Sequence, residues 1–182
     1  MSATEFALIG HPLKHSLSPF IHEQLLAAAG LPGRYRLIDL PPEDLAGEAP
    51  ALLSGLEGFN CTIPHKESII AHLTGLDDAA ARFRAVNTVW RGVGFNTDYQ
   101  AFLNNCPAMA DHRVLILGAG GVSRTMAFAA AASGAEVWIM SRRKEQAEAL
   151  ASAVWSACPS CRIRAVAGLD EFLAVETSGP AQ

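Results

Sequence analysis

Cysteine is scarce in this chain and poorly placed for metal chemistry. The 182 residues hold four cysteines. Cys158-Pro-Ser-Cys161 is a lone CxxC with neither a second pair nor a histidine pair beside it, so no metal site is read. Cys61 and Cys106 read as core or pocket-wall thiols. Net charge is small as well: −4, with a pI near 5.8. The basic clusters at Arg82 and Arg84 and at Arg142 to Lys144 are too short to bind nucleic acid. No apolar run approaches the roughly 20 residues that span a bilayer. The amino terminus also lacks a basic segment followed by an apolar core, so a membrane role is excluded and the cytoplasm is the expected compartment. There are no internal repeats. Half of the residues are hydrophobic (50%), enough for one large domain or two small ones.

Against this background the segment Gly58-Phe-Asn-Cys-Thr-Ile-Pro-His-Lys-Glu67 stands out. Leu56 to Thr62 reads as a short buried strand, with Pro64 at the first position of a following helix, where its missing N–H leaves no partner unpaired. Lys66 then falls in the first helical turn and is the candidate acid/base; the alternative is a solvated surface lysine.

Two further segments bear on that choice. In Ile9-Gly-His-Pro-Leu-Lys-His-Ser-Leu-Ser-Pro-Phe-Ile-His22 an apolar strand turns into a helix, with Ser18 as N-cap and Pro19 in the first turn. Backbone N–H groups and the hydroxyls of Ser16 and Ser18 would converge there, a geometry that suits a small carboxylate. For Ser18 alone, simple capping accounts for the residue. His15 either packs beside this turn or positions Ser16. Two Asn-Thr steps, Ala85-Val-Asn-Thr-Val89 and Gly94-Phe-Asn-Thr-Asp98, then offer Asn87 and Asp98 to a polar pocket with Lys66. Taken singly, Asn87 reads as a turn residue and Asp98 as the cap of a helix near Tyr99.

Further on, the apolar strand Arg113 to Leu117 meets Gly118-Ala-Gly-Gly-Val-Ser-Arg124 and an alanine-rich helix, the order a dinucleotide loop requires. Gly118, Ala119, Gly120, Gly121 and Val122 form the candidate pyrophosphate cradle. The next strand ends in Ser141-Arg-Arg-Lys144, where an NAD site usually places an acid. Ser141, Arg142 and Arg143 instead suit a ribose 2′-phosphate, which favours NADP.

Strands are expected near 5–9, 34–40, 57–62, 85–90 and 93–96, and helices near 19–29, 43–54, 65–73, 77–82 and 99–105. This alternation predicts an α/β fold with a mainly parallel sheet over residues 1–105. A polar break containing Pro107 precedes a partial Rossmann (βαβαβ) domain over 106–182. Its expected elements are strands at 113–117, 136–140 and 162–166, helices at 121–133 and 144–157, a weak last helix and a small-residue tail.

Taken together, GHPLKHSLSPFIH, GFNCTIPHKE, AVNTV, GFNTD and GAGGVSR resemble the shikimate dehydrogenase family, in order and approximate spacing, over about residues 5 to 145. The resemblance implies reversible, NADP-dependent reduction of 3-dehydroshikimate to shikimate. It implies Ser16 and Ser18 on the substrate carboxylate, Thr62, Asn87 and Asp98 on its hydroxyls, and Lys66 as acid or base with Asp98 beside it. Arg84 stands where the family usually carries glycine. From Arg113 to Gln182 there is room for only one βαβαβ half, so Val114 to Leu117 is expected as an apolar edge open to a second copy or a partner chain. The alternative expectation is a non-catalytic shikimate-binding module, or a truncated remnant without a complete cofactor site.

Overall fold

A computed structural model describes residues 4–106 and 108–174; the small-residue tail read over Glu176 to Gln182 lies outside them. Internal contacts divide the chain into two units, Met1–Thr97 and Asp98–Gln182.

The first unit runs β1 (Thr4–Gly10), α1 (Ser18–Ala28), β2 (Gly33–Asp39), a 3₁₀ turn (Pro42–Asp44) leading into α2 (Leu45–Gly55), β3 (Gly58–Cys61), then α3 (His65–Ser68), which tightens into a second 3₁₀ turn (Ile69–His72). It continues through β4 (Gly75–Leu76), α4 (Asp78–Phe83), β5 (Thr88–Trp90) and β6 (Val93–Phe95). Its six-stranded sheet has the order β2-β1-β3-β5-β6-β4. β1 pairs in parallel with β2 and β3, and β4 with β6. β5 is antiparallel to both its neighbours. That reversal follows from the turn, where Arg91 (φ 49) and Gly92 (φ 80) both take positive φ, as a two-residue hairpin of matching twist demands. The sheet is therefore mainly parallel with one hairpin set into it.

Alternation along β1 fills both faces of the sheet. Ala7 and Ile9 join Leu45, Leu52, Phe59, Ile69, Val86 and Val89 in the larger core cluster. Leu8 packs on the other face with Leu13 and Tyr35.

Several boundaries differ from the sequence reading. Ser18 is the first residue of α1 rather than its cap; Leu17 holds the cap position, without a side-chain hydrogen bond. Pro64 stands just before α3 rather than inside it. The helix read over 65–73 is an α turn followed by a 3₁₀ turn, and the two-residue β4 is too short to leave a periodic signal. α4 ends on Arg84 in the left-handed conformation (φ 53, ψ 41), which glycine adopts without a Cβ penalty.

The second unit takes up α5 (Thr97–Asn105) from Asp98 onward, so Asp98 lies in the first turn of this helix rather than at its cap. β7 (Arg113–Leu117), α6 (Gly121–Ala132), β8 (Glu136–Met140), α7 (Lys144–Ala157), β9 (Arg162–Val166) and α8 (Leu169–Ala174) follow. The sheet is parallel throughout, in the order β7-β8-β9, which is the βαβαβ half of a Rossmann fold. Val137, Trp138 and Ile139 of β8 are buried, as are Ala127 and Phe128 of α6 and Leu150 and Val154 of α7, and the Trp138 ring meets Phe172 of α8 edge-on. Among the described residues β7 is an edge strand, and Leu117 at its end is 68% exposed. No helix among the described residues is long and apolar enough to cross a membrane.

Candidate active site

The site in the first unit grows from the carboxyl ends of β1 and β3. Beyond β1 the chain turns through His11 to Leu17 into α1. Beyond β3 it turns through Thr62 to Pro64 into α3. The two turns are joined by backbone bonds: Thr62 N–H donates to the Ile9 carbonyl at 3.0 Å, and His11 N–H to the Ile63 carbonyl at 2.9 Å. Gly10 makes this close approach possible. A Cβ there would lie 2.5 Å from Cγ2 of Thr62, 2.9 Å from Leu13 and 3.0 Å from the Ile63 carbonyl oxygen. Between the turns is a cavity of about 450 Å³ lined by Lys14, His15, Ser16, Ser18 and Thr62 over an apolar floor that includes Leu8 and Leu13.

Two interactions set the shape of the first turn. Ser16 N–H donates to the Leu13 carbonyl at 3.0 Å, and the Ser16 hydroxyl oxygen accepts from Ser18 N–H at 3.3 Å. Thus Ser16, rather than Ser18, supplies a hydroxyl to the helix start. The turn is tied to the end of β2 by Asp39, whose carboxylate accepts from His11 Nδ1–H at 2.6 Å and from Leu13 N–H at 3.1 Å. The Leu13 N–H, the His11 bond and the nearby Lys14 charge hold the Asp39 carboxyl below the usual carboxylate range.

Lys66 is half-buried on the short helix α3, and its backbone is fixed from both sides. The preceding His65 is fully buried and donates from Nε2 to the Leu40 carbonyl at 2.7 Å; its Nδ1 is buried without a hydrogen-bond partner. The Lys66 carbonyl accepts from Val86 N–H at 2.7 Å. Burial pushes the Cys61 thiol up to about 12, against the opposing pull of the Lys66 charge, so Cys61 is a core thiol and not a nucleophile near neutral pH. Asn87 follows Val86 and stands beside the same strand end: its carbonyl accepts from Cys61 N–H at 2.9 Å. The Asn87 amide also clasps Thr97, accepting from Thr97 N–H and donating to its hydroxyl, each at 2.9 Å.

The structure thus brings Ser16, Ser18 and Thr62 to one cavity, while Lys66 and Asn87 are fixed on the backbone next to Thr62 without being among its lining residues. Asp98 opens the second unit, half-buried in α5.

In the second unit the glycine loop crosses the carboxyl end of β7. Gly118 has φ +109, a conformation L side chains rarely adopt, and donates from its N–H to the Met140 carbonyl at 2.7 Å. Gly120 caps α6, and a Cβ there would meet nothing within 4 Å. Open space at a helix start, floored by backbone, fits a pyrophosphate. Ala119 and Gly121 are half-buried and Val122 is exposed. Ser141, Arg142 and Arg143 follow the adjacent parallel strand β8 at the same end of the sheet. The Ser141 hydroxyl accepts from Arg143 N–H at 3.4 Å, and both arginines are exposed.

Comparison with known proteins gives this arrangement its relatives. Residues 8–89 match the shikimate dehydrogenase substrate binding domain. The chain is 42% identical over 153 residues to a shikimate dehydrogenase (NADP(+)) of Thermus thermophilus, covering 80% of this chain and 58% of the relative. The chain belongs to the shikimate dehydrogenase family. A shikimate dehydrogenase (NADP(+)) of an Exiguobacterium species is 45% identical over the same shares of the two chains. The solved shikimate dehydrogenase of Aquifex aeolicus superposes with a TM-score of 0.84 at 34% identity, over 95% of this chain and 66% of that one. The Thermus thermophilus enzyme, solved in complex with NADP(H) and shikimate, gives 0.76 at 40% identity, over 90% and 62%. The chain therefore spans about three fifths of the length of the curated family members it matches.

Within this family frame, sequence reasoning missed Asp39 and His11 as the tie that holds the serine turn. Lys14, which lines the cavity, was passed over too. An acid one residue before Leu40 carries no local sign that it will meet a turn 28 residues earlier.

Proposed function

We propose that this chain serves the NADP-dependent interconversion of 3-dehydroshikimate and shikimate, with residues 1–105 as the shikimate-binding domain and 106–182 as a partial NADP-binding domain. The observation that carries the reading is the convergence of Ser16, Ser18 and Thr62 on one cavity beside the doubly anchored Lys66. Ser16 and Ser18, at a helix start with Lys14 adjacent, are assigned to the substrate carboxylate. Thr62, Asn87 and Asp98 are assigned to its hydroxyls, with Lys66 as acid/base and Asp98 as its carboxylate partner. Gly118, Ala119, Gly120, Gly121 and Val122 would hold the NADP pyrophosphate, and Ser141, Arg142 and Arg143 its 2′-phosphate.

When bound, the nicotinamide supplies the hydride. Negative charge then develops on the ring oxygen, where the Lys66 ammonium stabilises it and delivers the proton. In the oxidative direction Lys66 accepts that proton. Among the described residues no strand pairs with the outer edge of β7, and a further strand, from a second copy or a partner chain, would pair there.

The test is shikimate oxidation with NADP by the purified chain beside Lys66→Ala, with shikimate binding followed by calorimetry. Turnover lost in the variant while binding survives supports the reading. Binding with no turnover at any enzyme concentration replaces it with a shikimate-binding module. No binding of shikimate overturns it.

A further inference from the structure

The CxxC segment lies in the second unit between α7 and β9, away from every residue assigned above. Cys158 follows the last residue of α7, and Cys161 N–H donates to the Cys158 carbonyl at 2.9 Å, with Pro159 and Ser160 between them. Such an i to i+3 bond closes a β-turn, and proline at its second position is the residue whose fixed φ suits it. The Cα atoms of a β-turn's ends lie within about 7 Å, which overlaps the roughly 4.4–6.8 Å spanned by disulfides. Both thiols are half-buried and neither is in a disulfide. The Cys158 sulfur is also 3.8 Å from the Ser160 hydroxyl.

The surroundings favour thiol exchange over metal binding. Among the described residues no third His, Cys, Asp or Glu joins the pair to make a metal cluster. A cavity of about 240 Å³ is lined by Cys158 and Cys161 together with the small residues Ala131, Ala132 and Gly134 and by Arg162. The Arg162 guanidinium donates to the Gly134 carbonyl at 3.4 Å and is 3.5 Å from the Asp111 carboxylate. We propose that Cys158 and Cys161 form a reversible dithiol/disulfide site that reacts with low-molecular-weight disulfides.

The exchange balances. Cys158, as thiolate after losing its proton to solvent, attacks one sulfur of a small disulfide RSSR; the S–S bond breaks and RS⁻ leaves, taking up a proton. Cys161 then loses its proton and attacks the Cys158 sulfur, expelling the second RS⁻, which is protonated in turn. Two protein thiols and one RSSR become one protein disulfide and two RSH, and the protein gives up two electrons and two protons. In the dithiol state burial, the neighbouring Cys158 charge and the hydrogen bond with Cys158 raise the Cys161 thiol, which keeps it protonated while Cys158 makes the first attack. The turn lies at the amino ends of β8 and β9, opposite the glycine loop at the carboxyl end of β7, so the site is separate from the dinucleotide cradle.

The experiment incubates the full chain with excess oxidised glutathione, blocks remaining thiols with N-ethylmaleimide and maps the digest by mass spectrometry. The expected result is a 158–161 peptide that has lost two hydrogens and carries no adduct, and that regains two blockable thiols after dithiothreitol. In Cys161→Ser the reaction should stop at a glutathione adduct on Cys158. The proposal is overturned if both thiols of the unsubstituted chain are still blocked by maleimide, if glutathione adducts persist on them, or if Cys158 pairs with Cys106 or with another chain.

Discussion

Asp39 binds His11 and Leu13 together, one carboxylate oxygen on the imidazole at 2.6 Å and the other on the Leu13 N–H at 3.1 Å, and so holds the serine turn against the end of β2. The folded-state pKa of Asp39 is lowered, with the Leu13 N–H as its largest cause. Its contribution to stability is therefore complete above the unfolded aspartate value of about 3.9 and is lost as pH falls through the lower folded value. Asp39→Asn should lower the urea midpoint at neutral pH, and the difference from the parent chain should close below about pH 4. A difference that stays constant across that range would remove Asp39 as the tie. At neutral pH the same variant should bind shikimate more weakly, because the turn carrying Ser16 loses its anchor.

Lys66→Ala should reduce turnover by about 10²–10⁴-fold, the usual contribution of a positioned acid/base. Its fold should be intact, because the His65 ring and the His65 and Lys66 backbone bonds that hold α3 are all kept by the substitution. Circular dichroism and shikimate calorimetry on the variant check this; a collapsed fold would leave Lys66 a structural residue.

Arg84→Gly should stabilise the chain by about 1 kcal/mol. Arg84 sits at φ 53, where an L side chain meets a steric cost of roughly 1–2 kcal/mol that glycine escapes, offset in part by glycine's greater freedom when unfolded. Thermal unfolding of the two chains measures it, and a lower midpoint in the glycine variant would contradict the argument.

Gly118→Ala should weaken NADP binding and destabilise the second unit by about 1–3 kcal/mol, because φ +109 is strained for any residue with a Cβ. Gly120→Ala has no neighbour to displace and no positive φ to strain, so its stability cost should be only that of a poorer helix cap, smaller than that of Gly118→Ala, while NADP affinity falls. Fluorescence titration with NADP, paired with thermal unfolding of both variants, separates the two.

Removing Arg142 and Arg143 together should cost NADP affinity about 10- to 100-fold, of the order of one charge-assisted hydrogen bond of about 1.5–3 kcal/mol, and leave NAD affinity nearly unchanged. Parallel titrations with the two cofactors decide it. Equal losses for both would assign these exposed side chains to general attraction instead of to the 2′-phosphate.

The second unit was the more legible part of the sequence. Apolar runs such as Val114 to Leu117 and Val137 to Met140, each followed by a polar break and a helix-period segment, fixed β7, β8, β9 and α7 to the residue. In the first unit the elements were readable and their ends were not. Ser18 and Asp98 carry good capping side chains, yet neither is a cap: Ser18 is the first residue of α1, with its N–H on the Ser16 hydroxyl, and Asp98 is the second residue of α5. Capping propensity is a local preference, and a neighbouring acceptor can override it. What could not be read at all was long-range: the His65 bond to Leu40 and the Asp39 tie to His11 join residues more than 20 positions apart.

The contact at Gly10 has a consequence for redesign. With Thr62, Leu13 and the Ile63 carbonyl all within 3.0 Å of where a Cβ would stand, the two turns that flank the cavity cannot be widened one residue at a time. A library seeking altered ligand preference should hold positions 10, 13 and 62 together. Its diversity belongs at Lys14 and His15, which line the same cavity from the exposed side and can change without moving either wall.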